Sequence, residues 1–131
     1  FTGIRIKQVA ADFREITVQM KLHWYNRNYV KTHFGGSLYA MTDPFYMLML
    51  IQILGNAYVV WDKAAQIEFI KPGRATVTSH FCISDAQIDE IRMHTADGQK
   101  FLPVYPVDVV DTQGDSVARV KKTLYIRRKD I

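Results

Sequence analysis

The stretch from Asn28 to Asp43 holds the residues best suited to chemistry: the glycine pair Gly35-Gly36, then Ser37, and Asp43 seven positions past the second glycine. Paired glycines let backbone approach a ligand closely, and a helix that begins at Gly36 or Ser37 aims its unpaired N–H groups at an oxygen lying in front of them. Donors placed in this way polarise a carbonyl and stabilise the oxyanion that forms from it. A carboxylate within reach then activates water or attacks directly, and Asp43 is the candidate. It stands about two turns beyond Gly36, roughly 10 Å at 1.5 Å per residue, so it is better placed to serve a carbonyl held at Gly36 of a second copy. Thr42-Asp43-Pro44 carries an equally weighted second reading, in which Asp43 caps a helix and Pro44 takes the first helical position, where its missing donor costs nothing. If the helix starts near Ser37 instead, Pro44 falls inside it and kinks it.

Other residues carry weaker signals. His33 could orient a substrate or act as an acid, although a loop histidine is more often hydrogen-bonded to backbone. Asn28 could hold a water or a carbonyl, and Ser37 acts through its backbone N–H or as an N-cap. Tyr39, Phe45, Tyr46 and Met47 supply an apolar wall beside this segment. Lys71 and Arg74, with Lys121, Lys122, Arg127, Arg128 and Lys129, could meet phosphate groups, set against the plainer reading of a solvated basic strand face. Cys82 reads as small core filler, not a nucleophile. His23, His33, His80 and His94 show no zinc spacing, so no metal is expected, and the chemistry above needs no redox cofactor.

The elements that must position these groups follow from periodicity. Residues 14–22 alternate, with Ile16, Val18, Met20 and Leu22 on one face, which predicts a half-buried strand. Pro44 to Leu54 is apolar on every side except at Gln52; it is well short of the roughly 20 residues of a membrane span, so it reads as a helix that protein must surround. Residues 65–70 predict another strand, ended by Lys71-Pro72-Gly73-Arg74, and residues 75–83 read as its hairpin partner. Residues 85–93 fit a short helix or a strand equally. Two closing strands, 105–110 and 117–127, flank the turn at 111–115, and the last one places Ala118, Val120, Leu124 and Ile126 on one face.

The 131 residues, 48% hydrophobic and 23% charged, fit one globular domain over 1–131. A net charge of +4 helps to hold an anion but does not by itself argue for nucleic acid, and no nucleic-acid-binding motif accompanies it. A single cysteine excludes an internal disulfide framework and favours a reducing, cytoplasmic setting. The chain opens on Phe1, not Met, so a short N-terminal piece is expected to precede it.

The order strand, loop, apolar helix, antiparallel strands reads as an α+β layer with a curved sheet around one helix, and here the chain resembles the hotdog-fold acyl-CoA thioesterases, in the branch of the phenylacetate-pathway enzymes. Gly35 and Gly36 match that family's glycine pair, Asp43 matches its acidic position and Asn28 stands near its asparagine. Phe34 occupies the place of the family's histidine, with His33 one residue earlier. The segments 65–74 and 122–129 most resemble a branch whose members mostly lack an assigned substrate. The resemblance implies an acyl-CoA or similar acyl thioester as substrate, a homodimer or dimer of dimers, and hydrolysis with the carbonyl at Gly36 and water activated by Asp43. Two alternatives stand beside it: a hydroxyacyl-thioester dehydratase using His33 with Asp43, and a protein that binds acyl chains or acyl-CoA without turnover.

Overall fold

A computed structural model describes residues 4–21, 41–71 and 76–129. Strands β1 (Ile4–Val9) and β2 (Glu15–Lys21) come first, then helix α1 (Phe45–Leu54) and strands β3 (Tyr58–Phe69) and β4 (Thr76–Cys82). Helix α2 (Asp85–Thr95) and strands β5 (Val104–Val110) and β6 (Ser116–Arg128) complete the described elements. The strands form a sheet in the order β1-β2-β4-β5-β6-β3, with every neighbouring pair antiparallel.

The α+β expectation holds, with three differences in detail. First, β4 is not the hairpin partner of β3: it pairs with β2 and β5, while β3 runs along β6 at the far edge. Turn chemistry at 71–74 predicts that the chain reverses, and it does, but nothing local prescribes which strand receives it. Second, β3 begins at Tyr58, well before the expected 65, and β1 adds a strand that alternation had not marked. Third, the ambiguous residues 85–93 are helical. Ser84 accepts from the Gln87 backbone N–H, and the Gln87 side chain accepts from the Ser84 N–H, a reciprocal cap that satisfies two orphan donors and nucleates α2.

The core lies between α1 and the concave face of the sheet. Phe45, Tyr46, Met49 and Leu50 meet Val18 and Met20 from β2, Phe81 from β4, Val107 from β5, and Val120 and Leu124 from β6. Tyr46 packs edge-on against Phe81 at 5.1 Å and donates to the Pro106 carbonyl at 2.6 Å, so its hydroxyl is satisfied inside the core. Burial pushes that hydroxyl's pKa upward. The sheet covers only one side of α1. Leu48 and Ile51 remain 43% and 41% exposed, so among the described residues the wrapping expected of an all-round apolar helix is incomplete. The helix stops at Gly55, whose φ of +80° suits a residue without a Cβ and whose N–H donates back to Ile51.

The turn between β5 and β6 falls at the expected residues. Gly114 takes φ +83°, and the Asp111 carboxylate accepts from the backbone N–H groups of Gln113 and Asp115.

Candidate active site: a buried lysine between two aspartates

Asp43 stands in the turn that leads into α1. Met41 and Thr42 are helical, Asp43 and Pro44 form a turn, and regular helix resumes at Phe45. A proline that cannot donate to the preceding turn explains the break. Pro44, not Asp43, occupies the cap position, and among the described residues no side chain caps the helix. The capping reading of Asp43 is therefore corrected by one residue, and its carboxylate is directed elsewhere.

It goes to Lys122. The lysine Nζ donates to Asp43 Oδ1 at 2.9 Å and stands 3.4 Å from Asp62 Oδ1. The Lys122 side chain is fully buried, Asp62 is 18% exposed, and Asp43 is 35% exposed at the mouth of the cluster. A desolvated ammonium demands carboxylate partners, and a charge-assisted hydrogen bond of this length fixes the orientation of the group that accepts it. Burial pushes the Asp62 pKa above the ordinary carboxylate value; Lys122 opposes that shift, and the neighbouring Asp43 reinforces it.

The sheet assembles this cluster. On β6, Lys122 shares its face with Val120 and Leu124 and points into the core, so its place in the solvated basic face was wrong. On β3, Asp62 pairs with Leu124 and, after a bulge at Lys63, Ala65 pairs with Lys122. The extra residue lets both Asp62 and Ala65 face inward. From sequence Lys122 was read only as a phosphate contact or part of a solvated basic face, and Asp62 was not singled out. Strict alternation through Val120 and Leu124 would have placed Lys122 inside, whereas the bulge hides the parity of Asp62.

The other expected site residues divide clearly. Asn28, His33, Gly35, Gly36, Ser37, Tyr39 and Arg74 lie outside the described residues. Phe45 and Tyr46 are packed into the core directly after Asp43, and Met47 is partly buried against it. Lys71 bridges Asp111 and Asp115, at 3.1 Å from each, across the β5–β6 turn; an incoming phosphate would compete with two carboxylates for it. That contact holds the Asp111 carboxyl below its usual range.

A second titratable group lies on the outer face. His80 Nδ1 is 2.9 Å from Thr17 Oγ1, and Nε2 is 3.2 Å from Glu15 Oε1. With its hydrogen on Nε2, the ring donates to Glu15 and accepts from Thr17, the order of a hydroxyl–imidazole–carboxylate relay. Its setting is unlike that of the inner cluster: His80 and Glu15 are both more than half exposed, in an open depression of about 170 Å³ that Gln8 and Ala10 also line. Cys82 is exposed on the same strand, not core filler as its neighbours suggested.

Solved structures of the same architecture give the fold its name. A protein of unknown function from Pseudomonas aeruginosa, described as a probable thioesterase, superposes with a TM-score of 0.80 at 15% identity, over 97% of this chain and 84% of that one. The Escherichia coli PaaI protein, from the phenylacetic acid degradation operon, superposes with a TM-score of 0.60 at 18% identity, over 97% and 80%. A hypothetical thioesterase with coenzyme A from Streptococcus pneumoniae gives 0.62 at 17% identity, over 95% and 86%. The fold is thus the hotdog fold of such thioesterases. No curated protein matches the chain. A family model matches residues 1–126, nearly the whole chain, and the chain belongs to that family, a domain of unknown function designated DUF4442.

Proposed function

We propose that the protein hydrolyses an acyl-CoA or a similar acyl thioester. The observation that carries this reading is the state of Asp43: its carboxyl is held by a buried lysine and is not consumed in capping its own helix, and about a third of its side chain still meets solvent. A carboxylate aimed from behind and open in front is what a general base requires. In the proposed reaction Asp43 takes a proton from water, whose oxygen bonds to the thioester carbonyl carbon. Backbone N–H groups at Gly36, with those of its sequence neighbours Gly35 and Ser37, would stabilise the oxyanion. The C–S bond then breaks, the acid product departs, and the thiolate recovers the proton from Asp43.

The thioester would be held at Gly36 of the partner subunit in a homodimer or a dimer of dimers. Support for a second copy comes from the incompletely covered helix and from β3, an edge strand of the described sheet that carries an exposed Trp61 and Phe69. The acyl chain would run along the wall formed by Tyr39, Phe45, Tyr46 and Met47. Asn28 and His33 would orient the substrate, and Lys71 and Arg74 would meet the phosphates of coenzyme A, the ligand held by the S. pneumoniae neighbour. No metal or redox cofactor enters the scheme.

The test is a panel of acyl-CoAs assayed with a thiol-detecting reagent, on the unmodified protein and on Asp43→Asn. Hydrolysis that drops by about 10²–10⁴-fold in a folded variant is the expected result. Hydration of an enoyl thioester would replace this reading with the dehydratase, and binding without turnover would replace it with the acyl-binding protein.

A further inference from the structure

The longest ladder of the described sheet joins β3 to β6, from Tyr58 opposite Arg128 to Phe69 opposite Ala118. Lys122 and Asp62 both belong to it, whereas Asp43 comes from the turn at Pro44 that interrupts the helix. Asp62 stands opposite Leu124, so Lys122, two positions before Leu124, is its diagonal neighbour on the inner face. Diagonal neighbours lie about 7–8 Å apart, a span that a lysine side chain closes. Nζ reaches to 3.4 Å from Asp62 Oδ1, an ion pair without hydrogen-bond geometry, while the shorter, directed bond of 2.9 Å goes to Asp43. A fully buried ammonium cannot turn to water, so the carboxylates around it set where it points. The bulge supplies one of them. Counted back from Ile67 and Ala65, alternation would bring Lys63 inward and set a second lysine beside Lys122; the bulge gives that place to Asp62 and leaves Lys63 exposed.

We propose that Asp62 is a positioning residue for the hydrolase: its carboxylate anchors the Lys122 ammonium against β3, and the anchored ammonium holds Asp43 in the pose that activates water. Of the two carboxylates, Asp43 is the more exposed and is the one that meets a substrate; Asp62 stays with the lysine and acts on the reaction through it. A carboxylate from a turn is thereby tied to the best-paired part of the sheet, and its orientation no longer depends on the turn alone. This role deepens the hydrolase reading and rests on it for its catalytic meaning, but the anchoring of Lys122 stands or falls independently of any substrate.

Nitrogen NMR of isotope-labelled lysine side chains tests the anchor itself. At neutral pH the unmodified protein is expected to show an ammonium signal, lost in Lys122→Met, whose hydrogens exchange slowly with water. Lys122→Arg removes the same signal and serves where Lys122→Met fails to fold. Asp62→Asn, nearly isosteric, should speed the exchange of that signal by about 10-fold or more; where it does not fold, Asp62→Ser takes its place with the same expectation. A spectrum without the signal, or exchange that the Asp62 substitution leaves unchanged, overturns the proposal. Activity tests the consequence. If the acyl-CoA panel shows turnover, Asp62→Asn should lower kcat about 10-fold with KM little changed. In the Lys122→Met background the same substitution should cost nothing further, because a residue acting through the lysine has no effect once the lysine is gone. An unchanged kcat, an additive loss in the double variant, or a rise in KM alone would overturn the role. If the panel shows no turnover while the exchange result holds, the hydrolase reading fails and the anchor of Lys122 remains.

Discussion

The molecule carries two clusters that place a basic nitrogen between oxygen partners, one on each face of the same sheet. Inside, Lys122 faces Asp43 and Asp62; outside, His80 faces Thr17 and Glu15. Both are assembled by antiparallel register, and their donor–acceptor distances are similar. They differ in solvent. The outer groups can exchange each partner for water at little cost, so their geometry is one arrangement among several. At the fully buried Lys122 no such exchange is available, and each of its hydrogens must find an acceptor in the protein. Of the two, only the inner cluster obliges its members to hold one arrangement, and pre-organisation of that kind is what catalysis needs.

The comparison can be broken from the inside first. Lys122→Ala takes the ammonium away from the largely buried Asp62 and the partly exposed Asp43 and should cost about 3 kcal/mol in denaturant titrations at neutral pH. The cost should shrink in acid, where protonation removes the uncompensated charge. On the outer face, His80→Ala should change stability by less than about 1 kcal/mol; a larger loss would mean that this exposed relay is held as tightly as the buried one. The smallest effect expected is that of salt. Raising ionic strength to about 1 M, where the screening length falls to about 3 Å, should erase any residual contribution of His80 with Glu15 while leaving the cost of Lys122→Ala nearly unchanged.

Much of the architecture was readable in advance. The alternation at Ile16, Val18 and Met20 marked a strand buried on one face, and the apolar run after Pro44 marked the central helix. The β5–β6 turn could be read from its aspartates and glycine. Asp43 was read as a candidate carboxylate or a helix cap with equal weight, and the lysine that holds it was not visible as its partner. Lys122 was read as part of a basic cluster because charge suggested solvent while parity required burial, and parity prevailed because the flanking Val120 and Leu124 cannot both turn outward. Asp62 was obscured because a bulge changes phase in mid-strand, and alternation cannot be carried across an insertion it does not detect. His80 and Thr17 became neighbours only when β4 was laid against β2 and not against β3.

By itself the chain determined its classes of element, the faces those elements bury and the residues at which they turn, because each depends on periods of two or 3.6 residues and on the backbone preferences of proline, glycine and the capping side chains. The tertiary structure alone decided which strands lie side by side, and thereby that a lysine 79 positions beyond Asp43 closes on it from the core. Register between distant strands is set by how whole faces pack together, a property that no local window of residues contains.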